Sequence, residues 1–338
     1  MKKLLPALSA LAAISACIPA FGFDAATPAA ERNALLFSWD GVQREHLLEC
    51  LKRNELPNLA ALIKEGRIVN IDITSHQTST KPGHVQMLTG YDPDVTGCPT
   101  NSEFKTIPEG LSIFERLQQA FGKDKIATIM INGGSYHLGS DPPSTPEEIA
   151  QAKEALARMG PQGDPVERER LNFVIINVHG EPYYHVARKI DFWDGNVRRD
   201  ADVNAPILLD ALEKYSKGRF FAFCHFRNPD HAGHAHGENS KEYNDALIEC
   251  DKWVGEAVKK LKALGIYDRT MVFATSDHGF DEGQKSHKDA PRVYLIGNMK
   301  SLRRNGDQRD IVPTILTEMG VDYTKLQPKY KGKALTVR

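Results

Sequence analysis

Acidic and histidine side chains follow three apolar runs of this chain at short distances. Asp40 comes directly after ALLFSW, Asp230 follows RFFAFCHF within a few residues, and Asp277 and His278 follow TMVFATS. Ligands of open α/β sheets bind beyond the carboxyl ends of the strands, so these positions predict one shared polar site. Carboxylate oxygens and imidazole nitrogens suit zinc and related divalent ions. The sequence therefore predicts a metal site at the carboxyl edge of a sheet.

The spacing within two of these clusters favours metal binding. Asp230 and His234 are four residues apart, which places an oxygen and a nitrogen ligand on one side of a helical turn. His231 and His236 lie nearby, so a generic histidine-rich loop that binds metal is the alternative interpretation. In the stretch 277–279, the glycine lets the backbone turn sharply, so that two adjacent side chains can surround one ion.

A threonine stands in a context that suits a nucleophile. The stretch STKPGHVQMLTG at 79–90 predicts a turn entering a helix, with Pro82 at the first helical position. Thr80 would then lie at or near the N-cap, where backbone N–H groups and the helix dipole stabilise an alkoxide or a phosphoryl oxygen. A plain threonine cap is the alternative. Beside the metal clusters, the stretch predicts a threonine nucleophile.

The elements that must position these residues alternate along the chain. Amphipathic stretches at 45–65, interrupted at Pro57, and at 243–261 predict helices packed on a core. Short apolar runs between them predict an α/β fold with a mostly parallel central sheet and helices on both faces. These runs are ALLFSW before Asp40, RIVNIDI at 67–73, KIATIMI at 125–131, NFVIINV at 172–178, RFFAFCHF at 219–226, TMVFATS at 270–276 and RVYLIG at 292–297.

One region interrupts this alternation. Residues 133–170 are rich in Pro, Gly, Ser and charge around one short helical piece, which predicts a segment that crosses the surface. Together with the residues that follow, it forms an insertion over about 132–215, which we expect to act as a cap over the site. Residues 23–338 otherwise predict a single metallohydrolase domain.

The first residues predict export. Lys2 and Lys3 precede an apolar run that is too short to span a membrane, and small residues follow, which is the layout of a signal peptide over residues 1–22. Cleavage after Gly22 and lipoprotein processing just before Cys17 both fit, so a lipid anchor stays open. No later stretch predicts a membrane span. We expect a secreted or periplasmic protein, membrane-anchored if Cys17 is lipidated.

Composition limits the partners. The chain has 338 residues, of which 41% are hydrophobic, and a formal net charge of −1, so it has no electrostatic reason to bind a nucleic-acid polymer. Export would leave Cys50, Cys98, Cys224 and Cys250 in an oxidising compartment, where one or two disulfides are allowed. Cys224 and Cys250 fall on predicted core positions, so we expect buried free thiols there. The sequence indicates no oligomeric state.

Five motifs, in this order, resemble the alkaline phosphatase superfamily, most of all its nucleotide pyrophosphatase/phosphodiesterase branch. They are SWDG at 38–41, TKPGH at 80–84, LTGYDPDVTG at 88–97, NPDHAGHAHG at 228–237 and SDHG at 276–279. The resemblance spans nearly the whole mature chain and implies an alkaline-phosphatase-like fold. It also implies an enzyme, a zinc-dependent hydrolase of phosphate esters.

Carried over residue by residue, the resemblance implies two zinc sites. Asp40, Thr80, Asp277 and His278 would surround one ion, and Asp230, His234 and His287 would hold the other. His287 is assigned by its place shortly before an apolar strand. Asn101 would donate a hydrogen bond to a phosphoryl oxygen. Thr80 would attack phosphorus and form a phospho-threonine intermediate, while the metals stabilise the alkoxide and the leaving oxygen.

The resemblance leaves the substrate open. It implies an exported phosphoesterase that acts on small nucleotide-type diesters, with monoesters as further substrates. Only eight residues separate His278 from His287, so part of the branch's usual substrate surface is expected to be absent. Phe104 and Tyr136 are available to line a slot for a second ester group. An alkaline phosphomonoesterase is the alternative, since cationic side chains are available at Lys81, Arg227, Lys285 and Lys288.

Three other classes fit the sequence less well. A sulfatase would need a convertible Cys or Ser in place of Thr80 and an arginine in place of His84. Cofactor-independent phosphoglycerate mutases are cytoplasmic and use serine and manganese. A non-catalytic metal-binding protein would have no need to keep Thr80 beside a full set of metal ligands.

Overall fold

The computed structural model describes residues 22–195 and 198–336, so nearly all of the predicted signal peptide, including Cys17, lies outside the described residues. The strands are β1 Asn33–Trp39, β2 Arg67–Asp72, β3 Ala127–Ile131, β4 Phe192–Asp194, β5 Phe220–Phe226, β6 Thr270–Thr275, β7 Arg292–Gly297 and β8 Gly306–Asp307. The helices are α1 Arg44–Lys52, α2 Pro57–Glu65, α3 Thr80–Thr89, α4 Pro93–Thr96, α5 Ile113–Phe121, α6 Pro146–Arg158, α7 Pro165–Ile176, α8 Ala201–Tyr215, α9 Asn228–His236, α10 Lys241–Ala263 and α11 Ile311–Glu318.

The eight strands form one sheet in the order β4-β3-β5-β1-β6-β7-β2-β8. All neighbouring strands run parallel except where β7 meets β6 and β2. The prediction of a mostly parallel sheet is confirmed. Because β5, β1 and β6 are neighbours, the residues that follow these three strands meet at one edge of the sheet.

Helices cover both faces of the sheet, as predicted. Along β1, Leu36 packs on one face, whereas Leu35 and Phe37 pack on the other. The first face is covered by α3, α5 and α11, and the second by α1, α2, α8 and α10. Central strands buried on both sides read as continuous apolar runs, which is why the sequence showed them clearly.

The predicted strand at 172–178 is wrong. This stretch is the end of helix α7, which begins at Pro165 after the side chain of Asp164 accepts the Val166 N–H. A short apolar run does not by itself distinguish a strand from a helix. Helix α6 precedes α7, so the surface stretch holds two helices instead of the one short piece that we expected.

The predicted insertion at 132–215 has two parts. Helices α6 and α7 pack on each other, whereas β4 pairs with β3 and α8 packs against α10 and β5. We use the name cap for α6, α7 and the loops that flank them, residues 133–190. The cap carries the aromatic pair Tyr136 and Phe173, whose rings stack at 4.6 Å.

The described cysteines are all free. Cys50, Cys98, Cys224 and Cys250 are buried and form no disulfide, which confirms the expectation of free thiols for the last two. Among the helices of residues 22–195 and 198–336, none is both long and apolar enough to span a membrane.

Candidate active site

The first predicted ligand group meets at the carboxyl ends of β1 and β6. His278 Nε2 lies 3.3 Å from Asp40 Oδ1 and 3.4 Å from Asp277 Oδ2. The hydroxyl oxygen of Thr80 lies 3.4 Å from the same nitrogen. The structure thus brings together all four residues that the sequence assigned to one ion.

The second group lies next to the first. On α9, Asp230 and His234 approach within 3.3 Å, as expected for residues one helical turn apart. His287 Nε2 lies 3.2 Å from His234 Nε2 and 3.8 Å from Asp230 Oδ1. One ligand atom each from Asp40, Asp230 and His278 also lie within 4.8 Å of one another. Asp230 therefore lies between the two groups.

The three histidines are oriented in the same way. The Nδ1 atoms of His234, His278 and His287 lie 2.9, 2.8 and 2.7 Å from main-chain carbonyl oxygens. A carbonyl only accepts hydrogen bonds, so each Nδ1 carries a proton and each Nε2 faces the cluster. Fixing the tautomer through the distal nitrogen is the usual arrangement for histidine ligands of metals.

Three carboxylate oxygens complete the fit to a cation. Asp40 Oδ1, Asp230 Oδ1 and Asp277 Oδ2 are buried and accept no hydrogen bond from any residue that the structure describes. Buried polar atoms without partners are rare because their desolvation is costly. Three such oxygens beside three imidazole nitrogens are a donor set suited to divalent cations. The residues therefore form a possible metal-binding group and fit the predicted cofactor.

The electrostatics of the cluster point the same way. Burial, reinforced by the negative charge of Asp40, raises the pKa of Asp277 well above its usual range. Burial also opposes the charged form of Asp40, but the imidazoles of His225 and His278 beside it lower the pKa of Asp40 well below its usual range. Acids packed this closely need positive charge among them, which divalent cations supply.

Thr80 is the first residue of α3, and Ser79 is the N-cap. Pro82 is consequently the third helical residue, so its predicted place at the first position is wrong. The next residue explains how the helix approaches the cluster, because a Cβ at Gly83 would lie only 2.4 Å from the Asp277 carbonyl oxygen. Gly41 has a similar role: its φ is +67°, and its Cα faces Asp230.

Asn101 is held beside the nucleophile by Lys81. The Lys81 backbone N–H donates to Asn101 Oδ1 at 2.8 Å, and Lys81 Nζ donates to the Asn101 carbonyl oxygen at 3.0 Å. With Oδ1 engaged, the side-chain NH₂ of Asn101 is the group left to donate to a substrate.

Two histidines that the sequence reasoning missed support the cluster. His225 Nδ1 accepts the Gly133 N–H at 3.4 Å, so its protonated Nε2 donates to Asp40 Oδ2 at 3.0 Å. His84 lies 2.9 Å from the Thr80 carbonyl oxygen and 3.3 Å from Asp277 Oδ2. The sequence offered one indication of the role of His225, because a histidine inside the otherwise apolar strand RFFAFCHF needs a buried polar partner.

Glu238 was also missed, and it anchors the segment before His287. Its carboxylate is fully buried and accepts the Gly283 N–H at 2.9 Å. His46 Nδ1 lies 2.8 Å from its other oxygen. Asp281 then organises the rest of the segment by accepting hydrogen bonds from Ser286 and from the backbone N–H groups of 288 and 289.

Fold and site together define a member of the alkaline phosphatase superfamily. The family model described as type I phosphodiesterase / nucleotide pyrophosphatase matches residues 34–333. The chain therefore belongs to the type I phosphodiesterase/nucleotide pyrophosphatase family, which confirms the resemblance inferred from its motifs.

Curated relatives agree with the family. The mouse bis(5'-adenosyl)-triphosphatase enpp4 is 26% identical over 255 residues, which is 75% of this chain and 48% of the relative. Mouse GPI ethanolamine phosphate transferase 1 is 24% identical over 331 residues, 88% of this chain and 32% of that protein. The chain spans about half the length, or less, of these relatives.

Solved structures show the same fold. An inactive variant of murine ENPP5 in complex with AMP superposes with a TM-score of 0.55 at 12% identity, covering 86% of this chain and 96% of that chain. The 2-O GAG sulfatase BT1596 gives 0.59 at 11% identity, covering 90% and 73%. At these identities the likeness concerns the fold alone, and the predicted alkaline-phosphatase-like fold is confirmed.

Proposed function

We propose that the protein is an exported, zinc-dependent hydrolase of small phosphate diesters that uses Thr80 as its nucleophile. The proposal rests on one observation. Three buried carboxylate oxygens that accept no hydrogen bond from the described residues lie beside the Thr80 hydroxyl, together with three histidine Nε2 atoms. Asp40, Asp277 and His278 with Thr80 would hold one ion, and Asp230, His234 and His287 a second. The short distance from Asp230 to Asp40 and His278 fits two ions placed side by side.

The residues of the chain have separate parts in the proposed reaction. Bound zinc would supply a Lewis acid that lowers the pKa of a hydroxyl and neutralises charge on phosphoryl and leaving oxygens. Thr80 would attack phosphorus, release the leaving alcohol and form a phospho-threonine ester. Asn101 would donate its side-chain N–H to a phosphoryl oxygen, and the N-terminus of α3 would stabilise the same charge. Water would then hydrolyse the threonine ester and restore Thr80.

The four cationic side chains named from the sequence, Lys81, Arg227, Lys285 and Lys288, bear on the phosphomonoesterase alternative. Arg227 pairs with Asp200, and Lys285 donates to the Ala235 carbonyl oxygen on an exposed surface. Lys81 alone among the four proposed cations is both buried and joined to Asn101. A monoesterase activity would therefore depend on Lys81.

Hydrolysis of bis-p-nitrophenyl phosphate and p-nitrophenyl phosphate tests the proposal. We expect faster turnover of the diester, loss of activity with a chelator, and recovery on adding zinc. Thr80→Ala should lose at least about a thousandfold in kcat, as expected when an essential nucleophile is removed, while Thr317→Ala in α11 serves as the matched control. Turnover of neither ester with zinc present, or equal rates in Thr80→Ala and the wild type, would contradict the proposal.

Export is the part of the proposal that rests on residues 1–22. Mass spectrometry of the protein recovered from its native host should give a chain that begins at Phe23 or a lipidated chain that begins at Cys17. A mature chain that retains Met1 and the following residues would contradict export.

A further inference from the structure

A buried lysine without a counter-ion lies directly beside the nucleophile. The side chain of Lys81 is 2% exposed, and within the described part of the chain no carboxylate lies within 4 Å of its ammonium. Its Nζ donates to one carbonyl oxygen, that of Asn101, and lies 4.2 Å from the Phe104 ring centroid and 5.6 Å from that of Phe173. One carbonyl and two rings satisfy such a group only in part, because a buried ammonium carries three donors and a full charge.

Two acids face Lys81 from the cap, and within the described residues neither forms an ion pair with it. Glu169 pairs with Arg198, and Glu181 Oε2 accepts the Asp141 N–H at 2.6 Å, whereas the buried Glu181 Oε1 has no hydrogen-bond partner there. Burial raises the pKa of Glu181 to about 7, so this carboxyl is partly protonated at neutral pH. The cap therefore covers the charge of Lys81 without pairing it.

The position of the ammonium distinguishes between two anionic groups of a substrate. The backbone N–H of Lys81 holds the side chain of Asn101, whereas Nζ lies at the main-chain oxygen of Asn101, 4.2 Å from the Phe104 ring centroid and 5.6 Å from that of Phe173 in the cap. The charge thus lies to the cap side of the amide that would bind the reacting phosphoryl group.

We propose that Lys81 is a specificity-determining residue whose ammonium receives a second anionic group, a phosphate or a carboxylate, carried by the ester substituent that stays on phosphorus when the leaving group departs. This inference rests on the proposed function and narrows its substrates to diesters with a negatively charged substituent. The rings of Phe104 and Phe173 exclude water around the contact and so strengthen it.

Three p-nitrophenyl diesters test the proposal, with ethyl, 2-carboxyethyl and 2-phosphoethyl as the second substituent. For the wild type we expect kcat/KM at least tenfold higher for one or both charged esters than for the ethyl ester, which corresponds to about 1.4 kcal/mol. Lys81→Met should bring this ratio close to one, and Lys81→Arg should keep most of it. Lys105→Met removes an exposed lysine four residues beyond Asn101 and should leave the ratio unchanged.

The two charged esters distinguish a phosphate from a carboxylate as the natural group. If the wild type hydrolyses all three esters equally well, the proposal is overturned. This comparison needs no variant, so it tests the proposal even if Lys81→Met does not fold. An equal loss on all three esters in folded Lys81→Met also overturns it, because Lys81 would then act only by holding Asn101. Failure to hydrolyse any of the esters with zinc present would contradict the proposed function instead.

Discussion

Glu238 is the residue outside the predicted ligand set whose removal reports most directly on how the site is assembled. Its carboxylate joins the segment before His287 to α1 through Gly283 and His46. Glu238→Gln keeps the shape of the side chain but removes its charge, which weakens a hydrogen bond of the kind that contributes ~1.5–3 kcal/mol. The amide also turns its N–H₂ group toward either the Gly283 N–H or His46 Nδ1, so one of these two contacts loses its acceptor. We expect the unfolding free energy to fall by about 2 kcal/mol.

Glu238→Gln should also weaken zinc binding. Groups that orient metal ligands typically change the affinity ~10- to 100-fold when they are removed. Competition between the apo-protein and a chromophoric chelator measures the zinc affinity directly, without reference to catalysis. Glu282→Gln is the matched control, since Glu282 lies in the same segment but is exposed and accepts a hydrogen bond from Asn239. Zinc affinity within about threefold of the wild type in Glu238→Gln, against the ~10-fold minimum expected, or an equal loss in Glu282→Gln, would refute this reasoning.

Three further predictions concern single side chains. Gly83→Ala should lower the unfolding free energy by ~1–3 kcal/mol in urea titrations, because the new Cβ would lie 2.4 Å from the Asp277 carbonyl oxygen. Gly160→Ala is the control, since a Cβ there would meet no described atom within 4 Å. An unchanged unfolding free energy in Gly83→Ala would contradict the close approach of α3 to Asp277. His225→Phe should weaken zinc binding about tenfold more than His225→Gln, because glutamine keeps a hydrogen-bond donor to Asp40. Equal losses of zinc affinity in the two variants would contradict the role of His225 in orienting Asp40. Burial raises the pKa of Glu181 to about 7 from 4.5, so the protonated carboxyl stabilises the fold fully below about pH 4.5, and this stabilisation is lost as the pH rises to about 7. The unfolding free energy of the wild type should therefore fall by about 3 kcal/mol across this range, and Glu181→Gln should remove that fall. Identical pH profiles of the two proteins in urea titrations would contradict this prediction.

The sequence predicted the fold well where residues are buried on both sides of the sheet. Strands such as β5 and β6 are continuous apolar runs, and the rule that ligands bind beyond the carboxyl ends of strands predicted that the residues after them share one site. The antiparallel direction of β7 carries no sequence signal, because a buried run reads the same in both directions. The helix that ends at Ile176 was mistaken for a strand, because a cap helix that buries only Leu171 and Phe173 lacks a clear helical period.

The candidate site was predicted unevenly. Motif order and position named seven candidate ligands and Asn101. The structure places the seven in two adjoining groups, and Asn101 contacts Lys81, the residue after Thr80. The residues that orient them were missed, since His225 and Glu238 act through contacts between parts of the chain far apart in sequence. Lys81 was noticed as a charge, but its burial under the cap depends on how Phe173 folds back over it.

The central claim is that six acidic and histidine side chains, together with the Thr80 hydroxyl, form a two-metal centre. Metal analysis of the purified protein after dialysis against zinc, compared with Asp230→Asn, tests it most directly. We expect two zinc ions per wild-type chain and a lower content in the variant, because Asp230 lies between the two groups. A wild-type chain that retains no zinc, or an Asp230→Asn variant that retains as much as the wild type, would contradict the two-metal centre.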